Sequence, residues 1–399
     1  MSELSSLVLA GFVLTTLSTS TGAATNYPTQ HTSGHVLATA LVMPLNSIVC
    51  ASQQHCVAVG NPIPGDTKDD AAIAATTSDR GAHWATTPRI GGVTELNALA
   101  CSTARTCIAV GWSSVRNNLS TEKGVVIRTG DGGHTWMVVS TLPKGVGQLS
   151  NVACPTATFC MAVGASQVPS TAVALITNSA GRKWTPLSLP KDQETLTLVA
   201  CTTRHDCIAA GDREAVSGDP SSGYLTSIIA TADSGSTWTQ RPLPAGTSRV
   251  IGIPYFAAMM CASRTLCVIV GDATPGDGAP SGLIIASTDG GKTWTYDVLP
   301  QGTQILNAVS CVSTSHCVVV GGGYSARGGL SRLILTTTDD GETWVSRPVP
   351  TAAAGLEGVS CPTATSCVAT GFGPSGTIQD ADTVAVVTSD GGATWSTMP

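Results

Sequence analysis

The cysteines are the first residues in this chain whose spacing could support chemistry, because all 14 occur in C-x5-C pairs. Paired thiols bind zinc or form disulfide bonds, and the C-x2-C spacing usual for zinc is absent from the sequence. Five intervening residues suit a bridge across a tight β-hairpin. We therefore predict disulfides and an oxidising compartment, with zinc as the alternative. The expected pairs are Cys50–Cys56, Cys101–Cys107, Cys154–Cys160, Cys201–Cys207, Cys261–Cys267, Cys311–Cys317 and Cys361–Cys367.

A second group is a box that ends in Trp, with Ser or Thr seven residues before it, Asp five before and Gly three before. Such a phrase could bind calcium, but calcium takes about six to eight oxygens and each box supplies one carboxylate, or two at Asp339 and Asp340. We predict instead a structural turn in which Asp accepts backbone N–H groups and Trp packs between sheets, with no metal or cofactor. Ser179 replaces Asp in the third copy. The other box residues are Asp79, Asp131, Asp233, Asp289, Asp339 and Asp390, with Trp84, Trp136, Trp184, Trp238, Trp294, Trp344 and Trp395.

A third group follows the apolar run that begins at each second cysteine and ends in glycine. Asp212 and Asp272 come directly after this glycine in adjacent copies, and Trp112 and Phe372 hold the same position in two others. Two carboxylates at a suitable separation can hydrolyse a glycosidic bond, and aromatic rings beside carboxylates can bind sugar or peptide. Ordinary solvated loop residues are the plain alternative, and no catalytic residue is assigned. Further candidate ligand-binding residues on these segments are Arg116, Arg213, Tyr224, Tyr324 and Arg327.

These residues require a repeated element to position them. One repeat predicts four strands, at 96–101, 107–111, 124–129 and 135–143, because short Val- and Ile-rich runs are bounded by Gly, Pro and Asp. Seven such repeats predict an all-β fold, a seven-bladed β-propeller with four antiparallel strands per blade. The first strand of each blade is expected to line the central channel. The predicted blades are approximately 45–94, 95–147, 148–194, 195–249, 250–304, 305–354 and 355–399.

The first 44 residues precede this repeat. Residues 1–24 are predicted to be an atypical signal peptide, with an apolar run at 7–17 and small residues at 22–24 but no basic residue at the start. The apolar run is too short to span a bilayer stably, and no other segment is predicted to be transmembrane. Residues 25–44 contain a strand-like stretch at 35–44, which we expect to add to the seventh blade and close the ring.

The boxes resemble the Asp-box (BNR) repeats of sialidases and related propellers. The longer pattern L-x-x-V-x-C…VG…T-x-DGG-x-TW is similar to the Ycf48-like photosystem II assembly factors, and also to the xyloglucanase and sortilin propellers. The resemblance covers about residues 45–399 and implies a propeller whose boxes join the third and fourth strands, opposite the binding face. Because these families have unrelated functions, the resemblance specifies the fold and leaves the function open.

Composition limits the possible partners. The net charge is −6 and there is no basic run, which argues against nucleic acid. Seven of the eight tryptophans lie in boxes, and only five tyrosines and four phenylalanines remain, which disfavours a glycosidase cleft. We predict an exported, non-catalytic monomer, secreted or in the cell envelope, that binds a protein or an envelope glycan through the loops between the second and third strands. The alternatives are a glycoside hydrolase and a Ycf48-like assembly factor.

Overall fold

The structure is a computed structural model of the chain. It describes residues 45–61, 71–88, 90–114, 122–139, 142–166, 171–216, 219–244, 254–273, 281–324, 330–374 and 383–398. In these residues the regular structure consists of β-strands, and no helix among them is long and apolar enough to cross a membrane. The predicted signal peptide and the strand-like stretch at 35–44 lie outside the described residues.

The strands form seven separate sheets, and each sheet contains four antiparallel strands in chain order. This confirms the predicted seven-bladed β-propeller. Blades 1 to 4 contain β1 (Leu45–Cys50), β2 (Cys56–Gly60), β3 (Ile73–Thr77), β4 (Ala85–Thr86); β5 (Glu95–Cys101), β6 (Cys107–Ser113), β7 (Lys123–Thr129), β8 (Met137–Val138); β9 (Val146–Ala153), β10 (Cys160–Ser166), β11 (Ala172–Thr177), β12 (Thr185–Pro186); and β13 (Gln193–Cys201), β14 (Cys207–Val216), β15 (Asp219–Thr231), β16 (Thr239–Arg241). Blades 5 to 7 contain β17 (Pro254–Cys261), β18 (Cys267–Ala273), β19 (Ser281–Ser287), β20 (Thr295–Tyr296); β21 (Leu306–Cys311), β22 (Cys317–Tyr324), β23 (Leu330–Thr337), β24 (Val345–Arg347); and β25 (Gly355–Ser360), β26 (Cys367–Phe372), β27 (Thr383–Thr388), β28 (Ser396–Thr397).

The second strand of each blade lies deepest in its sheet. In β6 the residues from Cys107 to Gly111 are all buried, which is why the sequence reads there as an uninterrupted apolar run. The fourth strand of blade 2 is shorter than the predicted 135–143: among the described residues of this stretch it is β8, whose Met137 and Val138 are exposed. This outermost strand has no sheet packed beyond it, so its side chains are not selected for a long apolar pattern. Short edge strands also limit pairing with other chains.

Apolar clusters fill the spaces between neighbouring blades. Between blades 1 and 2, Val57 and Val59 pack with Leu96 and Ile127, and Trp136 from the box of blade 2 packs against this cluster. Each of the seven clusters contains one box tryptophan from the later blade of the pair. The tryptophans therefore hold adjacent sheets together in the part of the chain that the structure describes.

The ring closes by direct packing of blade 1 on blade 7. Ile48 of β1 shares a cluster with Val368 of β26 and with Trp84. Across the same junction the N–H of Cys50 donates a hydrogen bond to Oγ of Ser360, at 2.8 Å. Blade 7 obtains all four of its strands from its own repeat. Whether residues 35–44 add a further strand remains a prediction.

One end of the propeller carries both the cysteine hairpins and the boxes, and we call it the box face. All seven predicted cysteine pairs are disulfide-bonded, each joining the facing ends of the first and second strands. The box turns lie beside these hairpins. In blade 5, for example, the N–H of Gly290 donates to the carbonyl of Thr265, at 2.8 Å. We call the opposite end, where first strands begin and second strands end, the loop face.

Candidate functional site

The box of blade 5 shows how the box face uses its carboxylates. Oδ1 of Asp289 accepts hydrogen bonds from the Ser287 hydroxyl at 2.9 Å and from the N–H of Thr293 at 2.9 Å, while Oδ2 accepts from the Thr293 hydroxyl at 2.7 Å. Burial opposes ionisation, but these bonds outweigh it and lower the pKa of Asp289 to about 2. The carboxylate is thus occupied within its own turn, and no oxygen is left to hold a ligand strongly.

The same bonding recurs in the other boxes. Oδ1 of Asp131 accepts from Thr129 and from the N–H of Thr135, and the pKa of Asp131 is also lowered to about 2. In the third box the Ser179 hydroxyl accepts the N–H of Lys183 at 2.9 Å, so a hydroxyl replaces the carboxylate in the turn. In the described residues, no group of three or more His, Cys, Asp or Glu side chains could hold a metal ion.

The loop face positions its side chains through a close approach between the first two strands. Each first strand contains an irregularity near its start, as between Phe256 and Ala258 of β17. There the backbone passes so near β18 that a Cβ on Gly271 would lie 1.9 Å from the carbonyl oxygen of Tyr255. Only glycine fits this position. The residue after the glycine, Asp272, then pairs directly with Tyr255 across the two strands.

The same register places all four first-ranked candidates in strands instead of loops, three of them at or next to a strand end and Asp212 within β14. Trp112 pairs with Glu95 in blade 2, Asp212 with Thr195 in blade 4, and Phe372 with Gly355 in blade 7. The second strands continue past the conserved glycine, so the sequence pattern ended these strands too early. Side chains at a strand end are fixed more firmly than side chains in a loop.

Tyr255 is the most exposed aromatic side chain of the described loop face, with 66% of its surface accessible. Its pKa is raised by desolvation and by the negative charges of Asp272 and Glu357. Burial also raises the pKa of Asp272. Residues 257–261, which follow Tyr255 in β17, line the same central cavity as Glu357 of blade 7, although the two blades are far apart in the sequence. The charge of Glu357 acts on the Tyr255 hydroxyl. We call Tyr255, Asp272 and Glu357 together the axial site.

Sequence reasoning missed Tyr255 and one further residue of this site, Glu357. It lies in β25 and lines the central cavity. Burial raises its pKa to about 7, and no hydrogen bond offsets the burial. The signal was present in the sequence, because the repeat reads L-N at Leu306 and Asn307 but L-E at Leu356 and Glu357. An interpretation of the repeat as purely structural does not single out this substitution.

Blade 2 has a second cluster at the loop face, formed by Glu95, Glu122, Trp112 and Asn61. Burial raises the pKa of Glu95, the Asn61 amide partly offsets this shift, and the charge of Glu122 raises the pKa further. Burial raises the pKa of Glu122 as well. An indole beside two carboxylates is the arrangement expected for a polar ligand with an apolar face.

In blade 4 the segment between the predicted second and third strands is largely extended, because β14 continues to Val216 and pairs with β15, which begins at Asp219. Burial raises the pKa of Asp212, and the Thr195 hydroxyl, 3.4 Å from its Oδ2, partly offsets this effect. Arg213 lies 3.6 Å from the Asp192 carboxylate. Asp212 and Asp272 occupy equivalent positions in adjacent blades, but neither is a cause of the other's pKa shift.

The structure describes only some of the remaining candidate residues. The backbones of Tyr224 and Tyr324 lie in β15 and β22, where they pair with Glu214 and Leu330. Arg116 and Arg327 lie outside the described residues. Their part in any site therefore stays a prediction.

Comparison with solved structures identifies the same fold in proteins of different function. YCF48 bound to a D1 peptide matches with 13% identity and a TM-score of 0.50 over 88% of this chain and 92% of that chain. YCF48 from Cyanidioschyzon merolae matches with 14% identity and a TM-score of 0.53 over 82% and 92%. A PL25 ulvan lyase matches with 10% identity and a TM-score of 0.56 over 89% and 96%.

At these identities the likeness shows the β-propeller fold alone. No family model and no curated protein matches the sequence. The function must therefore be argued from the site.

Proposed function

We propose that this protein is an exported, non-catalytic binding propeller that captures a segment of another protein on its loop face. The observation that carries the proposal is the axial site, where an exposed tyrosine ring lies near two carboxylates whose burial is not compensated by hydrogen bonds. Such groups gain when a partner supplies donors, whereas the carboxylates of the box face already have theirs. Tyrosine is also among the residues enriched at the energetic centres of protein interfaces.

Two further observations support the partner class and the compartment. A structural neighbour, YCF48, has a D1 peptide bound to it, so a propeller of this shape can present a peptide-binding surface. The seven disulfides suit an oxidising environment, which agrees with the predicted signal peptide at 1–24. A role as an assembly factor would be one form of this function.

The proposal is tested by site-specific photo-crosslinking in the native cell envelope. A benzophenone amino acid replaces Tyr255 in one variant and Val345, an exposed residue of the outer strand β24, in the control. We expect a discrete crosslinked protein from position 255 and none from position 345. Equal crosslinking at both positions, or none at 255 under conditions where the protein is folded, would overturn a loop-face protein partner.

A glycoside hydrolase is the second candidate, because Asp212, Asp272 and Glu357 all have pKa values raised by burial, as a general acid requires. The purified, oxidised protein is assayed on sialosides, glucans and bacterial envelope glycans. Turnover that is lost in Asp212→Asn or Asp272→Asn would replace the binding proposal with an enzyme. Binding of a glycan without turnover would keep the non-catalytic role and change the partner class.

A further inference from the structure

Three asparagines that line the central cavity each donate a hydrogen bond to the next blade, and we call this set the asparagine ladder. Nδ2 of Asn46 donates to the carbonyl of Leu96 at 3.0 Å, and Nδ2 of Asn97 donates to the carbonyl of Leu149 at 2.8 Å. Asn307 donates in the same way to Leu356, at 2.9 Å. Each asparagine lies at the irregularity of its first strand and ties its blade to the next one around the axis.

Glu357 holds the equivalent position in blade 7, where the corresponding acceptor would be the carbonyl of Leu45 in blade 1. In its ionised form, above its pKa of about 7, the carboxylate has no hydrogen to donate and cannot make this bond. Within the described residues no donor or cation reaches the Glu357 carboxylate, and burial is the one cause of its raised pKa. The blade therefore gives up a stabilising bond and buries a charge at the junction that closes the ring. Local costs of this kind are expected at functional sites.

The cavity beside Glu357 can admit a side chain. Its volume is about 370 Å³, and the described inner strands of the seven blades form its wall. Among the described lining residues Glu357 is the only side chain that ionises, the remainder being amide, hydroxyl, thioether, aliphatic and disulfide groups. The charge of Glu357 acts on the Tyr255 hydroxyl, as does the charge of Asp272, which pairs with Tyr255 across β17 and β18, so Tyr255 adds an aromatic face beside these charges.

We infer that the axial site and the cavity below it bind an arginine side chain of a peptide partner. The inference rests on the proposed function, because it names the chemistry by which the loop face recognises its protein segment. A guanidinium group would supply the donors that Glu357 lacks, and its planar fork fits a carboxylate with two parallel bonds. The exposed ring of Tyr255 offers a face for cation–π contact. Amide oxygens of the wall could accept the remaining N–H groups.

A divalent metal fits this cavity less well. Calcium takes about six to eight oxygens and is held mainly by carboxylates, whereas this wall offers a single carboxylate beside neutral amide and hydroxyl groups. In the described part of the chain no cluster of three ionisable metal ligands occurs here. A guanidinium needs only one well-placed carboxylate with neighbouring acceptors.

The test uses the full, oxidised protein with isotope-labelled methionine methyl groups, because Met259 and Met260 line the cavity. The probe is the blocked peptide Gly-Gly-Arg-Gly-Gly, and the matched control peptide carries citrulline, which has the same shape without the charge. We expect the arginine peptide to shift the methyl signals of both residues with millimolar or better affinity, and citrulline to bind at least about tenfold more weakly. Equal shifts with both peptides, or no shift with either, would overturn the inference.

Two variants test whether Glu357 supplies the negative charge that binds the arginine peptide. Glu357→Asn introduces the residue found at Asn46, Asn97 and Asn307, so it is expected to fold well and to reduce arginine-peptide affinity at least about tenfold. Asp340→Asn removes one charge from an exposed left-handed position (φ 63) of the box face and should leave the affinity unchanged. Wild-type affinity in Glu357→Asn, or an equal loss in Asp340→Asn, would exclude the axial site as the origin of binding.

Failure here is distinguishable from failure of the proposed function. If crosslinking at position 255 still captures a protein but Glu357→Asn does not weaken arginine binding, the loop face binds its partner through other chemistry. If crosslinking fails at 255 while the arginine peptide still shifts Met259 and Met260, the cavity binds a free cationic ligand and the protein partner is wrong.

Discussion

Asp289 and Asp272 belong to the same blade, yet their carboxylates are in opposite electrostatic situations. Asp289 lies on the box face with four hydrogen bonds from its own turn, and its pKa is lowered to about 2. Asp272 lies on the loop face, where burial raises its pKa. The difference separates carboxylates that stabilise the fold from carboxylates that remain available to a ligand.

The comparison extends around the ring. Asp131, Asp233 and Asp390 share the lowered pKa of about 2 on the box face. On the loop face burial raises the pKa values of Asp212 and Glu357. The box face repeats because every blade needs the same turn, whereas the loop face varies from blade to blade. A functional site is therefore expected where the sequence of one blade differs from that of the others.

The largest effect should come from removing the close approach that builds the loop face. Gly271→Ala places a Cβ 1.9 Å from the carbonyl oxygen of Tyr255, so β17 and β18 cannot keep their pairing. We expect a loss of at least about 3 kcal/mol in the free energy of unfolding, measured by chemical denaturation. Gly91→Ala, at a site with no atom near the added Cβ, is the control and should change little. A loss below about 1 kcal/mol for Gly271→Ala would contradict this reading.

An intermediate effect should distinguish the two aspartates of blade 5. Asp289→Asn removes a charged acceptor from its turn and should lower the free energy of unfolding by about 1–3 kcal/mol at neutral pH. The lowered pKa means that this contribution is complete above the unfolded value of 3.8 and is lost as the pH falls through about 2. Asp272→Asn should change stability by no more than about 0.5 kcal/mol. Equal destabilisation by both variants in thermal and chemical unfolding would remove the distinction between the faces.

The smallest effect concerns the charge buried at the ring closure. The folded pKa of Glu357 is about 7, above its ordinary value of 4.5, so the folded state loses stability as the pH rises between these values. Glu357→Gln should therefore stabilise the protein by about 1–2 kcal/mol at pH about 8 and have no effect at pH about 4. Denaturation curves at both pH values measure this, and a pH-independent effect would show that the carboxylate is not desolvated in the folded protein.

The sequence predicted the β-propeller fold because the same packing and turn residues recur in every blade. The C-x5-C spacing predicted disulfides such as Cys261–Cys267, and the boxes predicted turns beside Trp294 that pack adjacent sheets together. Seven copies of one signal make such an inference robust. The predicted bounds were too wide where the constraint is weak: of the described residues in 135–143, Met137 and Val138 form the strand, and the N–H of Val139 continues the pairing with the carbonyl of Val126.

The sequence by itself determined the number of blades, the four strands of each blade and the disulfide bonds, because these follow from the regular spacing of cysteine pairs, boxes and apolar runs. Only the tertiary structure decided which side chains meet at the axis. Tyr255 and Glu357 come from blades 5 and 7, and the ring must close before the charge of one can act on the hydroxyl of the other. Glu357 lies at an irregularity in the pairing of β25 with β26. Such an irregularity depends on the register between two strands, so the sequence of one strand does not predict it.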